Sequence, residues 1–182
     1  MPNDKYDLMK RAAALIAGRG YSRGELRRKL VSAVNADTKD GLNVVNTAEI
    51  EATLDRLEQL NLLNDAEYAY NFILYRVKES RWGEEKIREA LLKSDIENTV
   101  ADRALERVRE ELAACGSDGI DGIENALMEY IEGCCRKHGT PATLKDAHKL
   151  ARRLAGRGFD EDRIMDALRR ITPSEIFRHF EI

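Results

Sequence analysis

The sequence predicts an all-α protein, and three observations predict it. Apolar residues recur at three- and four-residue intervals along nearly the whole chain, the pattern of a buried helical stripe. Charged residues make up 35% of the chain against 6% aromatics, the balance expected of helices with a narrow apolar stripe and a broad polar face. With only 3 Pro and 12 Gly in 182 residues, few positions interrupt a helix.

Each element follows from its stripe. Leu8, Ala12, Leu15 and Ile16 define the first helix, Leu26, Leu30 and Val34 the second, and Ile50, Leu54 and Leu57 the third. A second triplet is built on Tyr68, Phe72 and Ile73, on Ile87 and Leu91, and on Val100, Ala104, Val108 and Leu112. The third uses Ile123, Leu127, Tyr130 and Cys134, then Leu144, Ala147, Ala151 and Leu154, then Ile164, Leu168 and Ile171. The strongest competitor for a strand is Phe72-Ile73-Leu74-Tyr75, but it sits inside a helical period between good helix formers.

Capping chemistry marks the starts independently. Ser22-Arg23-Gly24-Glu25 reads as a capping box, with Tyr21 placed to staple onto Leu26. Trp82 before Gly83, with Ile87 at the staple position, and Phe159 before Asp160, with Ile164, repeat the arrangement. The strings AGRGYSRGEL (17–26) and AGRGFDEDRI (155–164) share their first four letters and this spacing. Asn46-Thr47-Ala48-Glu49 and Thr172-Pro173-Ser174-Glu175 add two cap-like starts, the latter with Pro at the first helical position.

This repetition divides the chain into three three-helix modules, 1–63, 64–115 and 116–182, the last with a short C-terminal helix carrying Ile176, Phe177 and Phe180. The polar stretch 35–47 is an insertion within the first module, and 116–122 (GSDGIDG) is a Gly/Asp joint before the third. A unit of about 50 residues buries a marginal core, so neighbouring modules must lean on one another.

Composition also bounds function. The longest purely apolar stretch, Ala12 to Ala17, falls far short of the roughly 20 residues that cross a bilayer. The first residues lack the apolar centre of a signal peptide, and three cysteines, Cys134 and Cys135 adjacent, do not make a disulfide framework, so the expectation is a cytoplasmic protein. The net charge of −3 hides segregation: seven basic against one acidic residue over 9–30, but three against eleven over 94–135. Alternating blocks suit a partner with matching patches.

At YSRGELRRKL (21–30), IEATLDRLEQLNLLNDAEYA (50–69), RWGEEKIREALL (81–92) and LAGRGFDEDRIMDALRR (154–170) the chain resembles the RecX family of bacterial recombinase regulators. The resemblance covers nearly the whole chain and implies three tandem three-helix repeats in an elongated, curved array. It also implies a non-enzymatic partner of RecA that lies in the groove of the RecA filament on single-stranded DNA and suppresses ATP hydrolysis and strand exchange. Two departures stand out: the insertion 35–47 in place of a short turn, and Asp95 where the family usually has a helix-ending Gly.

Arg23, Arg27 and Arg28 on the second helix form a basic face fitted to acidic protein surface or DNA phosphate; the alternative is a solvated face paired with nearby Glu. Arg76, Arg81 and Arg88, and further on Lys149, Arg152, Arg153 and Arg157, extend the same candidate stripe. Tyr21, Trp82 and Phe159 could stack on bases, but their staple positions favour burial. Cys134, Cys135 and His138 lack the spacing of zinc ligands, so no metal or other cofactor is expected. No phosphate-cradling Gly motif, nucleophile elbow or His-Glu-x-x-His is present, and adjacent carboxylates such as Glu84/Glu85 point about 100° apart around a helix. The competing readings are a stand-alone nucleic-acid binder, which the sequence pI of about 5.8 disfavours, and a general helical scaffold. The chain is expected to act as a monomer.

Overall fold

The computed structural model describes residues 4–37, 47–115 and 122–178. Among these the chain is helical: α1 (Asp4–Gly18), α2 (Arg23–Asp37), α3 (Thr47–Gln59), α4 (Asp65–Lys78), α5 (Glu84–Lys93), α6 (Asn98–Cys115), α7 (Gly122–His138), α8 (Leu144–Ala155), α9 (Glu161–Ile171) and the short α10 (Ser174–Phe177). No strand occurs among the described residues, and Phe72–Tyr75 lies inside α4 as its period required.

The chain divides into two compact units. The first combines Met1–Ala69 with Leu91–Ala101. In it α1, α2 and α3 pack against one another around Leu8, Ala12, Leu26, Leu30, Ile50, Leu54, Leu57 and Leu63. Those residues come from the stripes read in the sequence, with Leu63 added from the α3–α4 turn. The second unit combines Tyr70–Ala90 with Asp102–Ile182. Its buried residues include Ile73, Ile87, Leu105, Val108, Leu127, Ile131, Leu154, Phe159, Ile164 and Leu168.

Helix starts follow the expected chemistry with two corrections. The Ser22 hydroxyl accepts from the Glu25 amide at 3.1 Å and donates to the Ser94 carbonyl at 2.6 Å. The Glu25 carboxylate, however, does not return to the Ser22 amide; it accepts two hydrogen bonds from Arg19, the stronger, charge-assisted choice. Asp65 supplies the missing help from α4, its Oδ1 accepting from the Arg23 amide at 2.7 Å. The second correction is at α10, where Pro173 precedes the helix and the buried Thr172 hydroxyl caps nothing; Thr172 instead ends α9 through its amide.

Asp160 caps α9, its side chain accepting from the Arg163 amide at 2.9 Å. Thr143 caps α8 in the same way, from the Asp146 amide at 3.2 Å, a start the sequence reading passed over. Two boundaries also shift. α2 continues through Asp37, into the stretch read as insertion, because Val31 and Val34 still pack on the core. Gly122 is the first residue of α7, buried against Leu112, and not part of the joint. The remainder of both joints, with Asn46 of the proposed cap and Phe180 of the tail, lies outside the described residues.

Candidate partner-binding surface

Among the described residues, some cations are neutralised by the chain's own carboxylates, some rest on carbonyls or aromatic rings, and some are left bare. The first group holds the face of α2. Arg23 reaches Glu51 at 2.7 Å, Asp55 at 2.8 Å and Glu58 at 2.8 Å, and Arg27 reaches Glu51 at 2.5 Å. Arg28 pairs with Asp95 and donates to the Lys93 carbonyl at 2.9 Å. Burial works against the Arg23 charge, but its hydrogen bonds to Asp55, Glu51 and Glu58 prevail and raise its pKa. Burial likewise opposes ionisation of Glu51, and its bonds to Arg23 and Arg27 reverse that, holding its carboxyl below the usual range. Of the arginines the sequence singled out most strongly, Arg23 and Arg27 therefore tie α2 to α3, and Arg28 ties it to the end of α5.

In the second unit Arg88 is similarly engaged, with Glu84 at 2.7 Å and with Asp102. Arg81, in a left-handed backbone conformation with φ 50°, pairs with Glu129 at 3.0 Å. Arg157 donates to the Ser80 carbonyl at 2.6 Å and lies 4.6 Å from the centre of the Tyr130 ring. Arg76 rests on aromatic rings, its guanidinium carbon 4.3 Å from the centre of Trp82.

The bare group is different in kind. The last turn of α7 carries Arg136, Lys137 and His138, and the last turn of α8 carries Arg152 and Arg153; cations there complement the helix dipole. Among the described residues the side chains of Arg136, Lys137, Lys149, Arg152 and Arg153 have no hydrogen bond or ion pair within the chain. Arg136, Lys137, His138 and Arg153 line a cleft of about 540 Å³ with Arg81 and Arg157, against Glu129 and Glu132 as its only carboxylates among the described lining residues. Glu129 is already held by Arg81. A neighbouring cleft of about 320 Å³ shares Cys134, His138 and Arg153 and adds Lys149 and Asp146. The result is a continuous basic surface in one unit, suited to an anionic partner.

Of the sequence-predicted residues, Arg153 and Arg157 meet in this cleft, joined by Arg81, and Lys149 lies in its neighbour. Arg152 is exposed on the same helix. Arg136 and Lys137 were not legible as site residues from spacing alone, and the signal that marks them is the basic run ending α7. Cys134 and Cys135 line the clefts, and burial, with Cys134 adding, raises the Cys135 thiol. Among the described residues no group of three or more His, Cys, Asp or Glu is placed to hold a metal. No helix there is long and apolar enough to cross a membrane.

The aromatic staples divide as well. Phe159 is buried, 2% exposed. Tyr21 and Trp82 are only half-buried, short of the burial expected, because each packs one face beneath a cation: Arg19 lies 3.7 Å from the Tyr21 ring centre, and Lys86 joins Arg76 at Trp82 at 4.8 Å.

No protein-family model matches the chain. The crystal structure of RecX from Lactobacillus salivarius superposes with a TM-score of 0.70 over 94% of this chain and all of that one, at 20% identity. A protein named regulatory protein RecX from Leptothrix cholodnii is 29% identical over 164 residues, 89% of this chain and 87% of its own length. Another of that name, from Prosthecochloris aestuarii, is 30% identical over 168 residues, spanning 91% of this chain and 94% of its own. On that likeness, end to end and in fold as in sequence, the chain belongs to the RecX family of regulatory proteins.

Proposed function

We propose that this protein regulates the RecA recombinase by binding the RecA filament on single-stranded DNA, and that binding inhibits ATP hydrolysis and strand exchange without any chemistry of its own. The family supports the regulatory role, since its relatives carry the name regulatory protein. The observation that carries the reading is the bare basic surface of Arg136, Lys137, Lys149, Arg152 and Arg153, in a chain that neutralises most of its other described arginines internally. A nucleoprotein filament presents phosphate and acidic protein surface, and unpaired arginines meet either with forked, charge-assisted hydrogen bonds. A protein so bound restricts subunit movement or occupies the place of incoming duplex without touching the ATP pocket.

The threefold repetition at 1–63, 64–115 and 116–182 belongs to the same proposal, as does action as a cytoplasmic monomer. Support for the repeat comes from the equivalent capped starts at Ser22 and Asp160, each following a Gly-Arg-Gly-aromatic turn.

The test adds purified protein to RecA, ATP and single-stranded DNA. Falling ATP turnover and strand exchange at rising protein concentration is the expected result. Unchanged turnover, exchange and filament lifetime reject the proposal, and equally tight binding to DNA without RecA replaces it with a stand-alone nucleic-acid binder.

A further inference from the structure

Among the described arginines outside the basic cleft that have no carboxylate partner, Arg76 has a setting unlike that of the others. Arg76, on α4, lies against three aromatic rings, its guanidinium carbon 4.3 Å from the centre of Trp82, 4.9 Å from Phe72 and 5.7 Å from Tyr75. Phe72 and Trp82 meet edge to face at 6.4 Å and 72°, so the wall behind the guanidinium is a packed aromatic pair. The Arg76 Nε is buried and has no hydrogen-bond partner, and the Arg76 side chain makes no hydrogen bond or ion pair among the described residues. Elsewhere in the same unit Arg81, Arg88 and Arg109 each meet a glutamate. Beside Arg76 the Tyr75 ring stands 59% exposed.

A guanidinium with a buried N–H that no acceptor answers among the described residues carries a desolvation cost that contact with the rings offsets only in part. Stacking on rings holds its plane and removes rotamer freedom before any partner arrives. Its free Nη edge is a planar fork that matches a carboxylate, and the apolar wall lowers the local dielectric in which that pair would form.

We infer that Arg76 and Tyr75 form an anchor for an acidic side chain, Asp or Glu, of a protein partner, with Tyr75 covering the pair from solvent. The site suits a protein carboxylate better than a nucleic-acid backbone. A phosphate strand is held by a series of cations along its length. Here one bare guanidinium sits in an aromatic setting, and Lys86, the other cation on the Trp82 ring, is turned toward the Gly156 carbonyl at 2.9 Å. An arginine and a tyrosine in a partly desolvated cluster is the composition of an interface hot spot. The inference rests on the proposed RecA reading, and the partner is then the recombinase protein of the filament and not its DNA.

The experiment measures binding of the full chain to RecA filaments on single-stranded DNA for wild type, Arg76→Lys, Arg76→Gln and Tyr75→Ala, with a photo-crosslinking amino acid at position 75 in a parallel sample. Arg76→Lys keeps the charge and loses the fork, and it should weaken binding roughly tenfold, as Arg76→Gln does, with an unchanged melting temperature. The crosslink should fall on a RecA peptide containing Asp or Glu. Wild-type affinity in both Arg76 variants overturns the inference while leaving the RecA reading intact, as does a crosslink to DNA. Failure of the wild-type chain to bind the filament removes both. If Arg76→Gln unfolds, Arg76→Lys and Tyr75→Ala decide the matter, because neither empties the aromatic wall.

Discussion

Asp95 follows the last turn of α5, and the structure shows how an aspartate is accommodated there. It takes the left-handed conformation, φ 57°, that ends α5 with the Ile96 amide bonding back to Leu91. Room for its side chain comes from Gly24, where an added Cβ would lie 2.3 Å from the Asp95 Cβ. Gly24→Ala should therefore destabilise the fold by about 1–3 kcal/mol, despite alanine's better helix propensity. Adding Asp95→Gly should restore wild-type stability or exceed it, as measured by denaturant unfolding of the double-mutant cycle. Additive effects of the two changes contradict this.

Two carboxylates of the same unit should respond to pH with opposite sign. Burial raises the Asp65 pKa, opposed by its bond from the Arg23 amide and reinforced by nearby Glu58. A raised carboxyl pKa means the fold favours the protonated form, so the ionised group costs stability at neutral pH and the cost fades as pH falls through that value. Glu51, held low by Arg23 and Arg27, contributes stability at neutral pH that is lost as pH falls through its depressed pKa. Asp65→Asn, which keeps the acceptor, should raise the melting temperature at pH 7 relative to wild type, and Glu51→Gln should lower it. Both differences should shrink in acid. Melting curves that shift in the same direction for the two variants contradict the assignment.

At the scale of elements, the α8–α9 turn serves as a cap for another helix. The carbonyls of Arg157 and Gly158 accept from the Gly83 and Glu85 amides, at 2.8 and 3.1 Å, which satisfies donors that the first turn of α5 leaves open. Contact is at backbone distance: an added Cβ at Gly83 would come within 2.1 Å of the Gly158 oxygen. Gly83→Ala should cost about 1–3 kcal/mol and lower the melting temperature by several degrees in a thermal scan; an unchanged melting temperature contradicts this close approach. The sequence pointed to both sides of this junction, in the Trp82-Gly83 start and in AGRGF, without joining them, since a contact so distant in sequence leaves no periodic trace.

The same limit explains what was legible. Helix identity and core stripes follow from local spacing, and Ile50, Leu54, Leu57 and Leu127 are buried where the period put them. Charge roles do not follow from spacing, because Arg23 and Arg27 share a face whether that face meets solvent, a partner or α3. Only the fold brings Glu51, Asp55 and Glu58 to them, and only the fold shows that Arg136 and Lys137, ending α7, form no ion pair among the described residues.

For the molecule as a whole, this sorting of charge underlies the proposed function, which assigns the internally paired arginines to the fold and the bare set of α7 and α8 to the partner surface. Arg27, half-exposed in its pair with Glu51, should contribute less than about 1 kcal/mol to stability and nothing to binding. Binding through the bare set should weaken as salt is raised. The most direct measurement compares affinity for RecA filaments on single-stranded DNA among wild type, Arg27→Ala and the double variant Arg136→Glu/Arg153→Glu, with melting temperatures recorded for each. The account predicts wild-type affinity for Arg27→Ala and a loss of roughly tenfold or more for the double variant at unchanged melting temperature. Wild-type affinity in the double variant, or a comparable loss in Arg27→Ala, would contradict it.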